Sequence, residues 1–240
     1  MIKIDNMHTE TYGWVAAIRG MRNPLNSWDK SDSSLVRCYT IACGERKCTK
    51  NCVPIKGNLG ITIGDEDLKL MKKLVKSGND HSKFMRFITV TCDVTAPFYW
   101  WKEFDTYKVG TVANSCSTMH TIHTSKFTID DFSHEHLQEG PRETLLGLVD
   151  GLNLLRDVYN NHEILERQGE IQEGITKKDI WWQMIQLLPT SYNQKRTVML
   201  NYAVLRNMYF ARRNHKLDEW HDFCKWIESL PYSELITMEE

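Results

Sequence analysis

The sequence predicts an α+β fold: a modest antiparallel or mixed sheet in the first half and long helices dominating the second half. Three observations carry this. Residues 83–97, "KFMRFITVTCDVTAP", are β-branched and alternate apolar with polar, the mark of a strand. Residues 140–168 keep a 3.6-residue apolar period over many turns, the mark of a long amphipathic helix. No repeat, low-complexity linker or composition break divides the chain, so residues 1–240 are read as a single domain.

The elements follow in chain order. "DEDLKLMKKLVKSG" opens with acids, Asp65 or Asp67 serving as cap. Leu68, Met71, Leu74 and Val75 form its apolar face, and Gly78 stops it. The strand ends before Pro97, and "FYWWKEFDTYK" continues as a helix with Trp100, Trp101 and Phe104 at helical spacing. In "GPRETLLGLVDGLNLLRDVYNNHEILERQ", Pro141 stands in a first-turn position that needs no amide donor. "KKDIWWQMIQLLP" is a shorter helix ended by Pro189. The run 197–216, "TVMLNYAVLRNMYFARRNHK", is read as one apolar helix turning basic at its end, and "LDEWHDFCKWIESLP" closes the fold as another.

Composition excludes some functions. With 30 basic and 31 acidic side chains the net charge is −1, which gives no electrostatic case for nucleic acid or an anionic membrane. No stretch approaches the roughly 18 apolar residues of a membrane span, and the first residues lack a signal-peptide run. A cytoplasmic location is expected. No phosphate-cradling glycine loop and no G-x-S-x-G elbow is present.

Three constellations can carry chemistry. Cys38, Cys43, Cys48 and Cys52 invite a zinc reading, but none of the spacings is the tight two-residue knuckle. Reduced thiols in a loop and a labile disulfide are the other readings, and no metal is assigned. His120 with His123, and His134 with His136, form pairs that suit a metal or simple solvation. The third is "DTYKVGTVANSCSTMH", residues 105–120, whose hydroxyl and amide side chains suit either a polar ligand or their own backbone. Lys102, Lys108, Arg206, Arg212 and Arg213 are the candidate phosphate partners. Arg206 stands out because a charge inside "MLNYAVLRNMYF" needs a partner or faces a site. Arg19 and Arg22 lie in an early segment that can complete a phosphate site from a distance.

The order of these pieces resembles the flavin-dependent thymidylate synthases, the ThyX family, over roughly residues 65–125 and 195–230. A helix runs into "SGNDHSKF", a strand ends at "DVTAP", and an aromatic helix follows. Lys102 and Glu103 stand at the family's Arg-Gln pair, and Thr106, Tyr107 and Lys108 at its Arg-His-Arg flavin motif. "NSCSTMH" is similar to the family's nucleotide-holding segment, with Asn114 and Ser117 kept, Ser115 in place of a Glu and Met119 in place of an Arg. "VLRNMYFARRNHKLDEW" looks like the late helix whose arginine contacts the nucleotide, and Arg206 matches it.

The resemblance implies a small-molecule nucleotide of the deoxyuridylate type (dUMP), FAD as cofactor, and a folate as one-carbon donor, with methylation or a related transfer such as hydroxymethylation as the reaction. It implies Ser117 and Arg206 as catalytic-site residues. It implies Asn114, Ser115, Ser117, Arg206, Glu103 and Lys102 for the nucleotide, and Thr106, Tyr107, Lys108 and His81 for the flavin. A homotetramer with sites shared between subunits is also implied. A catalytically decayed nucleotide-binding or interaction protein without flavin is the alternative.

Overall fold

Periodicity decides most of the elements in the computed structural model, which describes residues 1–37, 53–56 and 59–239. The first part holds β1 (Lys3–Tyr12), α1 (Trp14–Arg22), β2 (Ser34–Arg37), β3 (Val53–Lys56), β4 (Leu59–Thr62) and α2 (Asp65–Lys76). The middle holds β5 (Thr89–Pro97), α3 (Phe98–Phe104), β6 (Thr111–Ser115) and the short α4 (Thr118–Thr121). The rest is α5 (Glu139–Arg167), α6 (Lys177–Leu187), β7 (Asn193–Asn201), α7 (Tyr202–Arg212), α8 (Asp218–Glu228) and α9 (Glu234–Thr237). One sheet has the order β1-β5-β7-β6, and β2, β4 and β3 form a second, antiparallel sheet with Ser34 opposite Thr62 and Val53 opposite Ile61. The fold is α+β, as expected. No described helix is long and apolar enough to cross a membrane.

Two departures from the expected elements have physical causes. Residues 83–97 begin as a 3-10 turn, Ser82–Arg86, and the strand starts only at Thr89, where the β-branched alternation becomes strict. The run expected as one helix from 197 to 216 is instead the end of β7 followed by α7. Within it, Val198 and Leu200 are buried while Thr197 and Met199 are exposed, a two-residue period hidden in an apolar run. Asn201 makes the switch: its side chain accepts from the Val204 amide at 3.0 Å and caps α7.

The chain forms two compact units. The first comprises Met1–Lys3, Thr95–Thr106 and Asn114–Arg196; the second comprises Ile4–Val94, Tyr107–Ala113 and Thr197–Glu240. In the first unit α5 packs on α6 around Phe132, Leu152 and Met184, with Ile122, Phe127, Leu145 and Val149 completing the core. Thr176 and Asp179 form a reciprocal capping box at the start of α6.

In the second unit α7 packs on α8, α9 and the Ser82–Arg86 turn. Trp14 lies edge-on to Tyr202 at 5.3 Å, and Met71, Met85, Leu205, Trp220 and Phe223 are fully buried. Helix α2 is not capped by its own Asp65 or Asp67. Asp32, in the loop before β2, accepts from the Glu66 and Asp67 amides at 2.9 and 3.0 Å, while Asp67 is buried against Arg22.

Candidate functional site

Among the described residues, each unit has a cleft that contains residues singled out by sequence. In the first unit the cleft has a volume of about 330 Å³ and is lined by Ser115–Met119 with Phe98, Ile185, Leu188 and Gln194. The "ANSCSTMH" segment is placed here by backbone pairing: the Cys116 amide donates to the Lys195 carbonyl at 2.9 Å. Gln194 then fixes it, its amide donating to the Cys116 carbonyl at 3.1 Å and to Thr118 Oγ1 at 3.3 Å. Gln194 is held in turn by Arg196, whose Nε donates to its Oε1 at 3.0 Å. Arg196 stacks on Trp101 at 4.2 Å and bonds Asp105 at 2.8 Å, and Trp101 donates to the Gln194 carbonyl at 2.9 Å.

This polar segment divides its labour. Ser117 caps α4 by accepting from the His120 amide at 3.3 Å, which leaves its hydroxyl proton available. Thr111 and Thr121 donate to the carbonyls of Tyr107 and Ser117, satisfying the local backbone. Asn114 and Ser115 are exposed, and their side chains make no hydrogen bond among the described residues. Lys102 is exposed and Glu103 half-buried on α3, in the same unit.

The second unit has the larger cleft, about 820 Å³. Helix α7 builds one wall with Arg206, Asn207 and Phe210, followed by Arg213; the Ser82–Arg86 turn supplies Ser82, Met85 and Arg86. Gly110 closes another side. It has φ +79°, and a Cβ there would stand 2.7 Å from Asn201 Nδ2, so only glycine permits this approach to the start of α7. Arg206 is 8% exposed. Its Nη1 donates to the carbonyls of Ile236 and Met238 at 3.0 and 2.5 Å, and its guanidinium lies 4.7 Å from the Phe210 ring centre. The charge that the sequence marked as needing partners is satisfied by carbonyls brought in by α9.

The remaining sequence-flagged residues of the second unit fall outside the lining of this cleft. Tyr107 accepts a bond from Arg212 Nε at 2.9 Å, and Arg212 also stacks on Trp220 at 4.8 Å. Lys108 and His81 are exposed. Arg22 is committed to Asp67 and to the Ser27 carbonyl. Among the described residues no three His, Cys, Asp or Glu side chains converge as metal ligands. Cys38, Cys43, Cys48 and Cys52 lie outside the described residues.

No protein-family model matches the chain, and no curated protein matches it. Solved structures do. A crystal structure of thymidylate synthase X (ThyX) from Helicobacter pylori with FAD and dUMP superposes with a TM-score of 0.56 at 16% identity, covering 96% of this chain and 97% of that one. The chain has a ThyX-like fold. A second structure of flavin-dependent thymidylate synthase ThyX from the same organism, complexed with FAD and dUMP, gives a TM-score of 0.58 at 16% identity over 97% and 98% of the two chains. The two likenesses thus span nearly the whole chain.

Sequence reasoning missed Gln194, Arg196, Arg86 and Asn79 as cleft or support residues. Gln194 and Arg196 sit on β7, two positions apart on one face, a signal that appears once residues 193–201 are read as a strand. Arg86 and Asn79 flank His81 and belong to no recognisable pattern.

Proposed function

We propose that this chain is a divergent ThyX-like protein that binds a deoxyuridylate-type nucleotide and acts on its base by one-carbon transfer. The observation that supports it is the arginine- and amide-lined cleft on α7, in a chain whose ThyX-like fold is nearly complete. Guanidinium groups suit phosphate, and the amides of Asn79, Asn201 and Asn207 suit sugar and base edges. Ser115 and Ser117, with Asn114 beside them, remain proposed nucleotide contacts on the first unit, and Lys102 and Glu103 proposed neighbours of that site. A homotetramer, as the resemblance implies, belongs to the same reading.

The residues proposed for FAD do not fit it as they stand. The Thr106 hydroxyl donates to the Glu103 carbonyl at 2.7 Å, and the Tyr107 hydroxyl oxygen accepts from Arg212, which leaves it only a proton to offer. Lys108 and His81 remain exposed, and neither offers the forked donor geometry of an arginine to a diphosphate. This favours a second reading, a nucleotide-binding protein that has lost flavin chemistry.

One experiment separates the two. Purified protein is scanned for flavin absorbance at about 450 nm before and after FAD addition and desalting, and its Tm is measured with and without dUMP. A dUMP-dependent rise in Tm is expected. Retained flavin with that rise supports the one-carbon transferase, to be followed by an assay with methylene-folate. The rise without flavin supports the binding protein. No rise with dUMP sinks the nucleotide reading.

A further inference from the structure

The second-unit cleft already holds an anion of its own. Arg206, Phe210 and Arg213 share one face of α7 and its C-cap, and the Phe210 ring centre lies 4.7 Å from one guanidinium and 4.9 Å from the other. The two arginines are used differently. Arg206 is buried and anchors the 236–238 backbone. Arg213 is 38% exposed and pairs through Nη1 and Nη2 with Oε1 of Glu239, at 3.3 and 3.2 Å.

That pair is built to be exchanged. Glu239 is 75% exposed and offers a single oxygen to both nitrogens, not the two parallel bonds of a bidentate fork. Exposed pairs of this kind are weak and easily screened. Arg86 stands on another wall of the cleft, exposed and with no acidic partner among the described residues. Among the described lining residues the cleft therefore presents three guanidinium groups and one carboxylate.

We infer that Arg213 is the anion-receiving residue of this cleft and that Glu239 is a resident competitor, displaced when a phosphate monoester binds. A phosphate monoester brings more charge and three acceptor oxygens, so it can engage Arg213 in a fork, in a cleft that Arg86 also lines. Glu239 can swing away without unfolding anything, because Arg206 still holds the carbonyls of Ile236 and Met238. The identity of the ligand as a nucleotide rests on the function proposed above; the exchange itself requires only a phosphate group.

Isothermal titration of dUMP, deoxyuridine and inorganic phosphate into the wild type, Glu239→Gln and Arg213→Gln tests this at low ionic strength. Glu239→Gln is expected to bind dUMP and phosphate about two- to five-fold more tightly, the range set by an exposed ion pair. Arg213→Gln is expected to bind both at least about ten-fold more weakly, as loss of a charge-assisted fork requires. Deoxyuridine, which lacks the phosphate, is expected to respond to neither change. Equal or weaker anion binding by Glu239→Gln, or unchanged binding by Arg213→Gln, overturns the inference. Unaltered melting temperatures confirm that the variants fold. If phosphate shows the exchange and dUMP does not bind, the competitor stands and the nucleotide reading falls. If dUMP binds wild type and Glu239→Gln alike, the reverse holds. No anion binding to any of the three proteins removes both.

Discussion

Arg22 and Asp67, 45 positions apart in the chain, meet inside the second unit with Nε 2.6 Å from Oδ1, and their side chains are 5% and 0% exposed. The second carboxylate oxygen of Asp67 accepts from the hydroxyls of Ser31 and Ser33, each at 2.6 Å, and the guanidinium also reaches the Ser27 carbonyl at 3.1 Å. The pair thereby fastens the loop around residues 27–33 to α1 and α2. Removing one partner strands a buried charge. Asp67→Ala is expected to cost about 3–5 kcal/mol, and pairing it with Arg22→Met to recover part of that loss. Urea denaturation of the single and double variants measures both; a single variant within about 1 kcal/mol of wild type, the range of an exposed pair, would show that the network is dispensable.

Asp32 supplies the next expectation. The slight desolvation of this exposed carboxyl pushes it up, but the Glu66 and Asp67 amides outweigh this and hold it below the ordinary value of 3.8. A lowered folded value means that its contribution is present above the unfolded value and disappears as pH falls through the folded one. Asp32→Ala is therefore expected to lower stability by about 1 kcal/mol near neutral pH, as loss of a cap does, and by progressively less below the ordinary carboxylate value. Melting curves of both proteins across acid pH decide it. A gap that stays constant to the lowest pH would mean that the charge on Asp32 plays no part.

These two networks also show where sequence reading stops. Helices α5 and α6 are legible because many turns repeat the same apolar period. The cap of α2 is not, because its carboxylate comes from Asp32, 35 positions before Asp67 in the chain, while the local acid Asp67 is used elsewhere. The β7–α7 boundary is hidden because "TVMLNYAVL" satisfies both periods until burial distinguishes Val198 and Leu200 from Met199. Arg206 is legible as a charge in need of partners, but its partners are carbonyls 30 and 32 positions away. Gln194 carries no local signal; its role appears only when β7 sets it beside Cys116 and Thr118.

Gly110 tests how closely the larger cleft depends on one backbone position. Its φ of +79° disfavours any side chain, and a Cβ would press on Asn201 Nδ2 at 2.7 Å and Val204 Cγ2 at 3.0 Å. Asn201 is the residue whose side chain caps α7. Gly110→Ala is expected to destabilise the protein by about 1–3 kcal/mol and to weaken dUMP binding in the same preparation. A Tm equal to wild type would show that the loop shifts freely, and would separate Gly110 from the shape of the cleft.

The described free cysteines give a prediction that depends on environment alone. Cys92 is fully buried on β5, and burial, with Asp93 adding to it, raises its thiol to about 12. Cys224 is raised to about 11 by burial and by Glu228. Cys116 is exposed on the smaller cleft. The thiolate is the nucleophile in alkylation, so a raised value removes reactivity at mildly alkaline pH even before access is considered. Brief treatment of the native protein with iodoacetamide at about pH 8, near the ordinary thiol range, is expected to label Cys116 and to spare Cys92 and Cys224, with peptide mapping resolving the three. All three should label once the protein is denatured, because unfolding returns each thiol to water. Early labelling of Cys92 in the native protein would mean that β5 opens on the timescale of the reaction, which its fully buried position at the centre of "TVTCDVTAP" does not predict.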